Sequence, residues 1–252
     1  MFDWKTRLRA AGIHLGISLL IAGLAALLVF GLWYPYPYRE ISGGRELFLL
    51  VVAVDVVLGP LITFSVFSRT KPRAQLRLDL VAVGLIQLAA LAYGLWTVHA
   101  ARPVHLVFEY HRFRVVHAVE VPPQLLPRAA PGLKVMPLSG PTLLSLRPFK
   151  DARERDEATM MDIQGQPLAA RADLWQPYEA AHTEVLAAAR PVTELKARFP
   201  LQAAAIDEAL KDTGLRADGL AYVPMIGRKT FWTVFIDPSS ARVLGFLPLD
   251  SF

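Results

Sequence analysis

The chain has 252 residues, of which 54% are hydrophobic, and a positive mean hydropathy of +0.35, which is too apolar for an ordinary soluble domain and directs attention to a membrane. Its formal charge of +5 belongs mostly to the first hundred residues, with nine Lys/Arg against five Asp/Glu, while the rest of the chain carries 18 against 17; such a distribution is poor evidence for nucleic-acid binding. The absence of cysteine removes disulfides, thiolate metal sites and cysteine nucleophiles, and leaves the redox compartment undecided.

The first predicted element is the run Ile13 to Tyr34, free of formal charge and long enough as a helix to cross a hydrocarbon core of roughly 30 Å. It ends in WYPYPY and not in small residues suited to a signal peptidase, so it reads as an uncleaved anchor. Two further spans are expected at 47–67 and 80–98, interrupted by Asp55 and by Gln87. Lys5, Arg7 and Arg9 precede the first span, and Arg69, Lys71, Arg73 and Arg77 lie between the second and third; the loop from Pro35 to Arg45 holds Arg39 and Arg45 alone. The excess of basic residues predicts a cytoplasmic N-terminus, with the WYPYPY loop outside at an aromatic belt and everything after the third span outside as well. The expected organisation is residues 1–12 in the cytoplasm, a three-helix transmembrane domain over 13–99, and a periplasmic domain over 100–252.

From Arg102 the chain turns to β-branched and aromatic residues, PVHLVFEYHRFRVVHAVEV, which is strand chemistry. Prolines and glycines punctuate Gln124 to Arg155, where loops and short extended pieces are expected, and DARERDE reads as a solvated loop or helix start. Between Asp173 and Asp212 apolar residues recur at helical spacing, among them Leu174, Tyr178, Val185, Ile206 and Leu210, with breaks at Pro191 and Pro200. The tail from Ala221 predicts two or three strands with turns at Gly227-Arg228 and Asp237 to Ser240. The fold class expected is a three-helix membrane protein with an α+β extracytoplasmic domain built on an antiparallel sheet.

Chemistry is sparse. His105, His111 and His117, with His182 further on, are spaced too widely along a single strand to share a metal ion, although a hairpin could bring two together. No nucleophile elbow, phosphate loop or zinc-helix motif occurs, and neither catalysis nor a cofactor is expected. Asp55 stands out, because a carboxylate near mid-bilayer costs a few kcal/mol. At a helical rise Asp55 lies roughly 13 Å below the outer end of its span and Gln87 roughly 12 Å above the inner end of its own, with Ser18 near the same depth. Two readings stay open: Asp55 as glue within the bundle through Gln87 or Ser18, or Asp55 with Gly59 and Pro60 as a polar notch for a partner's transmembrane helix. A proton relay has less behind it, His14 being the other titratable group in the spans and lying near the inner edge.

Several stretches together, namely HLGIS, LVFGLWYPYPY with GG at Gly43 and Gly44, LFLLVVAVDVVLGPLITF, GLIQLAALAYG and ARPVHLVFEYHRF, resemble the type IV pilin accessory protein family (TfpX/TfpZ). The resemblance covers residues 10 to 120 well and the remainder weakly. Its shared positions are Trp33, Tyr34, Pro35, Gly43, Gly44, Asp55, Leu58, Gly59, Pro60, Gln87, Arg102, Pro103, Glu109, Arg112 and Phe113, and His111 departs where an acidic residue is expected. The resemblance implies a bacterial inner-membrane protein that assists its cognate major pilin without being an enzyme. Its partners would be that pilin, the lipid bilayer and other pilus-assembly proteins, with no nucleic acid. A membrane-anchored sensor or scaffold binding another envelope component is the competing reading. Arg102, Glu109 and Arg112 are expected to join membrane and outer domains, since ARPV follows the third span directly.

Overall fold

The computed structural model describes residues 4–68, 71–211, 214 and 216–252; Arg69, counted above among the inner basic residues, and Asp212, at the end of the helical stretch, lie outside the described residues. The chain divides into two compact units, 1–101 and 102–252.

Among its described residues the first unit holds three helices long and apolar enough to cross a membrane: α1 (Trp4–Trp33), α2 (Gly44–Val66) and α3 (Arg73–Ala100). Helix α1 starts before the apolar run, because the charged segment Lys5 to Ala11 is made of good helix formers. Its neighbour α2 runs back alongside it. Arg7 donates to the carbonyls of Phe64 and Ser65 at 3.3 and 3.0 Å, placing a cation on the C-terminal carbonyls of α2. At the other end the Tyr34 hydroxyl donates to the Val98 carbonyl of α3 at 3.0 Å.

Tyr34 is a correction to the aromatic-belt expectation: it is fully buried, while Tyr36 stays exposed. A Cβ on Gly44 would fall 2.3 to 2.7 Å from three carbons of the Tyr34 ring, so the pairing of WYP with GG has a steric cause. Gly43 takes φ +68, the left-handed value that starts α2 after the single helical turn Tyr38–Ile41. Two segments widen to π-helix, Val29–Trp33 at the end of α1 and Val54–Leu58 within α2. The second lies directly ahead of Gly59-Pro60, where proline has no N–H for the carbonyl one turn back, and the helix rephases there and continues to Val66.

The second unit is built on an eight-stranded sheet: β1 (Pro103–Glu109), β2 (Arg112–His117), β3 (Thr142–Leu146), β4 (Trp175–Pro177), β5 (Arg190–Pro191), β6 (Ala221–Ile226), β7 (Phe231–Ile236) and β8 (Val243–Leu247). The strand order is β4-β3-β1-β2-β6-β7-β8, with β5 also pairing β6. The tail forms three strands with turns where they were expected. The sheet, however, is mixed and not antiparallel: β3 runs parallel to β1, and β6 parallel to β2. Both parallel pairs follow long connections that carry the chain back to the end from which it left, a return that no local turn signal encodes.

Asp151 caps α4 (Ala152–Ile163) by accepting from the Glu154 N–H at 2.8 Å. Three short helices follow, α5 (His182–Ala188), α6 (Val192–Arg198) and α7 (Ala203–Lys211), broken at Pro191 and Pro200. Leu174 and Tyr178, which fit a helical spacing, lie instead in 3₁₀ turns flanking the edge strand β4. One core joins β1–β4 through Val104, Val107, Val116, Leu144 and Trp175; a second packs Val192, Leu195, Ile206 and Leu210 of α6 and α7 onto Tyr222, Phe235 and Leu247.

Candidate functional site

The polar residues of the apolar helices converge. Asp55 of α2, Ser18 and His14 of α1, and Gln87 of α3 line one cavity of about 210 Å³, walled otherwise by Ile17, Ile21, Ala22, Val52, Gly84, Leu88 and Leu91. Helices α1 and α3 both pack on α2, and these residues combine similar depth with helix faces turned to the same space. Asp55 forms the floor, inside the widened turn of α2, with 9% of its surface exposed.

The bonds expected of Asp55 are not made. Among the described residues its Oδ1 is buried without a hydrogen-bond partner, and Gln87 and Ser18 do not bond it. Gln87 is instead turned onto Gly59, where a Cβ would fall 2.0 Å from its Nε2 and 3.1 Å from the Nε2 of His14. Gly59 thus makes room for an amide side chain, a different use from the kink suggested by Gly-Pro. His14 Nδ1 lies 2.6 Å from Thr63 Oγ1, so the histidine is tied to α2 and reaches the cavity that Asp55 floors. Sequence reasoning left His14 at the inner edge and missed Thr63. The signal was available, since both are polar interruptions near the inner ends of adjacent antiparallel spans.

The outer residues Arg102, Glu109 and Arg112 do not form one cluster. Arg102 is buried ahead of β1, its Nε and Nη2 both donating to the Pro137 carbonyl at 3.4 Å. Glu109, 1% exposed, closes the far end of the β1–β2 hairpin by accepting from Arg112 Nε at 3.0 Å. Seven strand residues separate the two ends, roughly 23 Å. The hairpin turns at Tyr110 and His111, with Tyr110 at φ +56, so the three histidines of this stretch do not share one extended strand. His105 is buried between Thr142 Oγ1 at 2.7 Å and the Val135 carbonyl at 2.9 Å, its ring 4.3 Å from that of Trp175. Burial there pushes the His105 pKa down to about 4. His117 pairs with Glu120 at 3.1 Å, and this contact helps to hold the Glu120 carboxyl below its usual value despite its burial. Among the described residues no three His, Cys, Asp or Glu side chains meet as a metal-binding set.

A family model for fimbrial assembly protein FimB matches residues 2–43. The chain is 32% identical over 246 residues to a fimbrial assembly protein of serogroup I from Dichelobacter nodosus, covering 97% of this chain and 95% of that protein. It is 30% identical over the same length to the serogroup E1 protein of that organism, and 38% identical over 121 residues to the protein of serogroups C1 and C2, which spans 48% of this chain. No solved structure matches it. The similarity runs through both the helical and the sheet units, and the chain belongs to the fimbrial assembly protein family, the type IV pilus accessory family that its membrane-helix motifs resemble.

Proposed function

We propose that this protein is an inner-membrane accessory for type IV pilus biogenesis, which assists the stability, assembly and surface display of its cognate major pilin by protein–protein contact and not by catalysis. In this reading the N-terminus is cytoplasmic, the three apolar helices span the bilayer and residues 100–252 are periplasmic, as the basic residues in the first turns of α1 and at the start of α3 favour. The observation that carries the reading is near-full-length similarity to proteins named for fimbrial assembly, which joins the membrane helices and the sheet domain in one function. A pilin anchored by a membrane helix, with its head outside, would meet both units.

The test is deletion of the gene in a piliated strain. The reading expects surface pili to be lost while pilin transcript persists, with full restoration by the whole chain. Normal pilin level and normal display in the deletion strain would refute it. One observation favours the second reading, a scaffold or sensor: the sheet domain carries a cavity of about 480 Å³ walled by Phe108, Leu146, Phe149 and Leu168 beside Arg147 and Arg155. Envelope components co-purifying with the protein in a strain without pilin would support it.

A further inference from the structure

We propose that the groove between α1 and α3 is the docking site for one membrane-spanning helix of the pilin, which seats a hydrogen-bond-donating side chain on the Asp55 carboxylate; this rests on the function proposed above. Asp55 has an unfilled hydrogen-bonding requirement. Asp55 is nine-tenths buried at mid-span, its Oδ1 lacks a partner, and a buried polar atom in hydrocarbon without a hydrogen bond is costly. Of the polar groups that share the cavity, His14 holds its Nδ1 against Thr63 Oγ1 and Gln87 turns its amide over Gly59, and among the described residues neither hydrogen-bonds Asp55 Oδ1. Lipid chains carry no donor, so lipid filling the groove would leave the requirement unmet.

The groove suits a helix crossing its mouth. Its volume of about 210 Å³ holds a side chain and not a helix, so the occupant must lie across the rim and lower one short polar group to the floor. The rim is apolar and exposed, with Ile17 and Leu88 at 54% and 57%. The wall includes Ala22 and Gly84, and a Cβ on Gly84 would meet nothing within 4 Å, which leaves space for the close backbone approach that small residues permit in membranes. A second copy of this chain is a poor occupant. The hydroxyls of Ser65 and Thr97 donate to their own helix carbonyls at Leu61 and Tyr93 at 2.9 and 3.0 Å, and the exposed Tyr93 and Trp96 lie roughly 9 Å or more outward of Gln87 along α3, so the donors that its spans expose sit toward the helix ends. The chemistry asked of the partner helix is therefore a hydroxyl, amide or amine near mid-membrane, flanked by small residues.

The test uses the full chain in piliated cells, with a photo-crosslinking residue placed at Ile17 or Leu88 on the rim, or at Leu19 or Ile86, which are exposed on the opposite faces of the same helices. Adducts are probed with antibodies to pilin, to this protein and for bound lipid. The expected result is a pilin adduct from the rim positions in about ten-fold excess over the opposite faces. Asp55→Leu should lower it about five-fold, the worth of one interhelical hydrogen bond, and Asp55→Asn, which keeps an acceptor, should hold it within about two-fold. If Asp55→Leu reduces protein level, Gly84→Leu provides the second variant: it fills the groove from a wall position with room, and should abolish the adduct at normal protein level. Adducts equal from both faces, adducts with lipid alone or with another copy, or a pilin adduct insensitive to both Asp55→Leu and Gly84→Leu would each overturn the docking site. If deletion of the gene abolishes pili while rim positions capture no pilin, the docking site fails and the accessory function stands; if deletion leaves pilin and pili unchanged, the accessory function itself fails.

Discussion

Gly44→Ala tests whether the aromatic motif after α1 is a packing device. The added methyl would fall 2.3 Å from the nearest Tyr34 ring carbon, against a normal carbon–carbon contact of roughly 3.5–4.0 Å, so ring and helix must separate by about 1.2 Å or more. Tyr34 is fully buried and cannot swing into open space. A ring displaced that far draws its hydroxyl away from the Val98 carbonyl, now 3.0 Å distant, beyond hydrogen-bonding reach. Overpacking costs about 1–3 kcal/mol and the lost bond about 1 kcal/mol, which together destabilise the bundle by about 2–4 kcal/mol. Gly23→Ala is the control, because a Cβ there meets nothing within 4 Å and alanine gains about 1 kcal/mol in helix propensity. Purified protein in detergent, unfolded by a denaturing detergent and followed by circular dichroism, should show Gly44→Ala well below the parent and Gly23→Ala at or above it. Tyr34→Phe should fall between, having lost the hydroxyl alone. Equal stability of the two alanine variants would refute the steric account of Tyr34 over Gly44.

Four further outcomes are expected. A reporter active only outside the cytoplasm should work when fused after Phe252 and fail when fused near Ala74, and the reverse would overturn the proposed orientation. Asp55→Asn should leave the membrane level of the protein near that of the parent on immunoblots, since Oδ1 bonds nothing within the bundle; disappearance of the protein would mean that charge at this depth is itself structural. Arg112→Leu should reduce the protease resistance of the sheet domain more than Glu109→Gln, because the first strands a carboxylate that is 1% exposed while the second leaves an arginine that can reach solvent. His105 has a folded pKa of about 4 against 6.5 when unfolded, so the unfolded chain takes up the proton first as pH falls: stability should be full above about pH 6.5 and decline by about 3 kcal/mol toward pH 4, and denaturant titrations of His105→Gln should lose that slope.

The three long apolar helices were legible because one local property, a predominantly apolar run of sufficient length, decides them. The same holds for the turns at Gly227 and Asp237, where residue chemistry acts over a few positions, and for the breaks at Pro191 and Pro200. Depth counting along helices of fixed rise also carried Asp55, Gln87 and Ser18 to one level before any packing was known. Rotation about the helix axes was beyond it, and rotation is what turns Gln87 onto Gly59, brings His14 to Thr63 and leaves Asp55 Oδ1 alone. Tyr34 illustrates the same limit: an aromatic residue at a span end suits an interfacial belt or a buried ring equally well, and the absent side chain of Gly44, ten positions away, decides between them. In the sheet domain, strands were readable from alternation and β-branching, but their partners were not. Pairing β1 with β3 and β2 with β6 joins segments separated by long connections, and the free energy that selects those partners comes from side chains meeting across the finished sheet, chiefly Val104, Val107, Leu144 and Trp175 around one core and Tyr222 and Phe235 around the other.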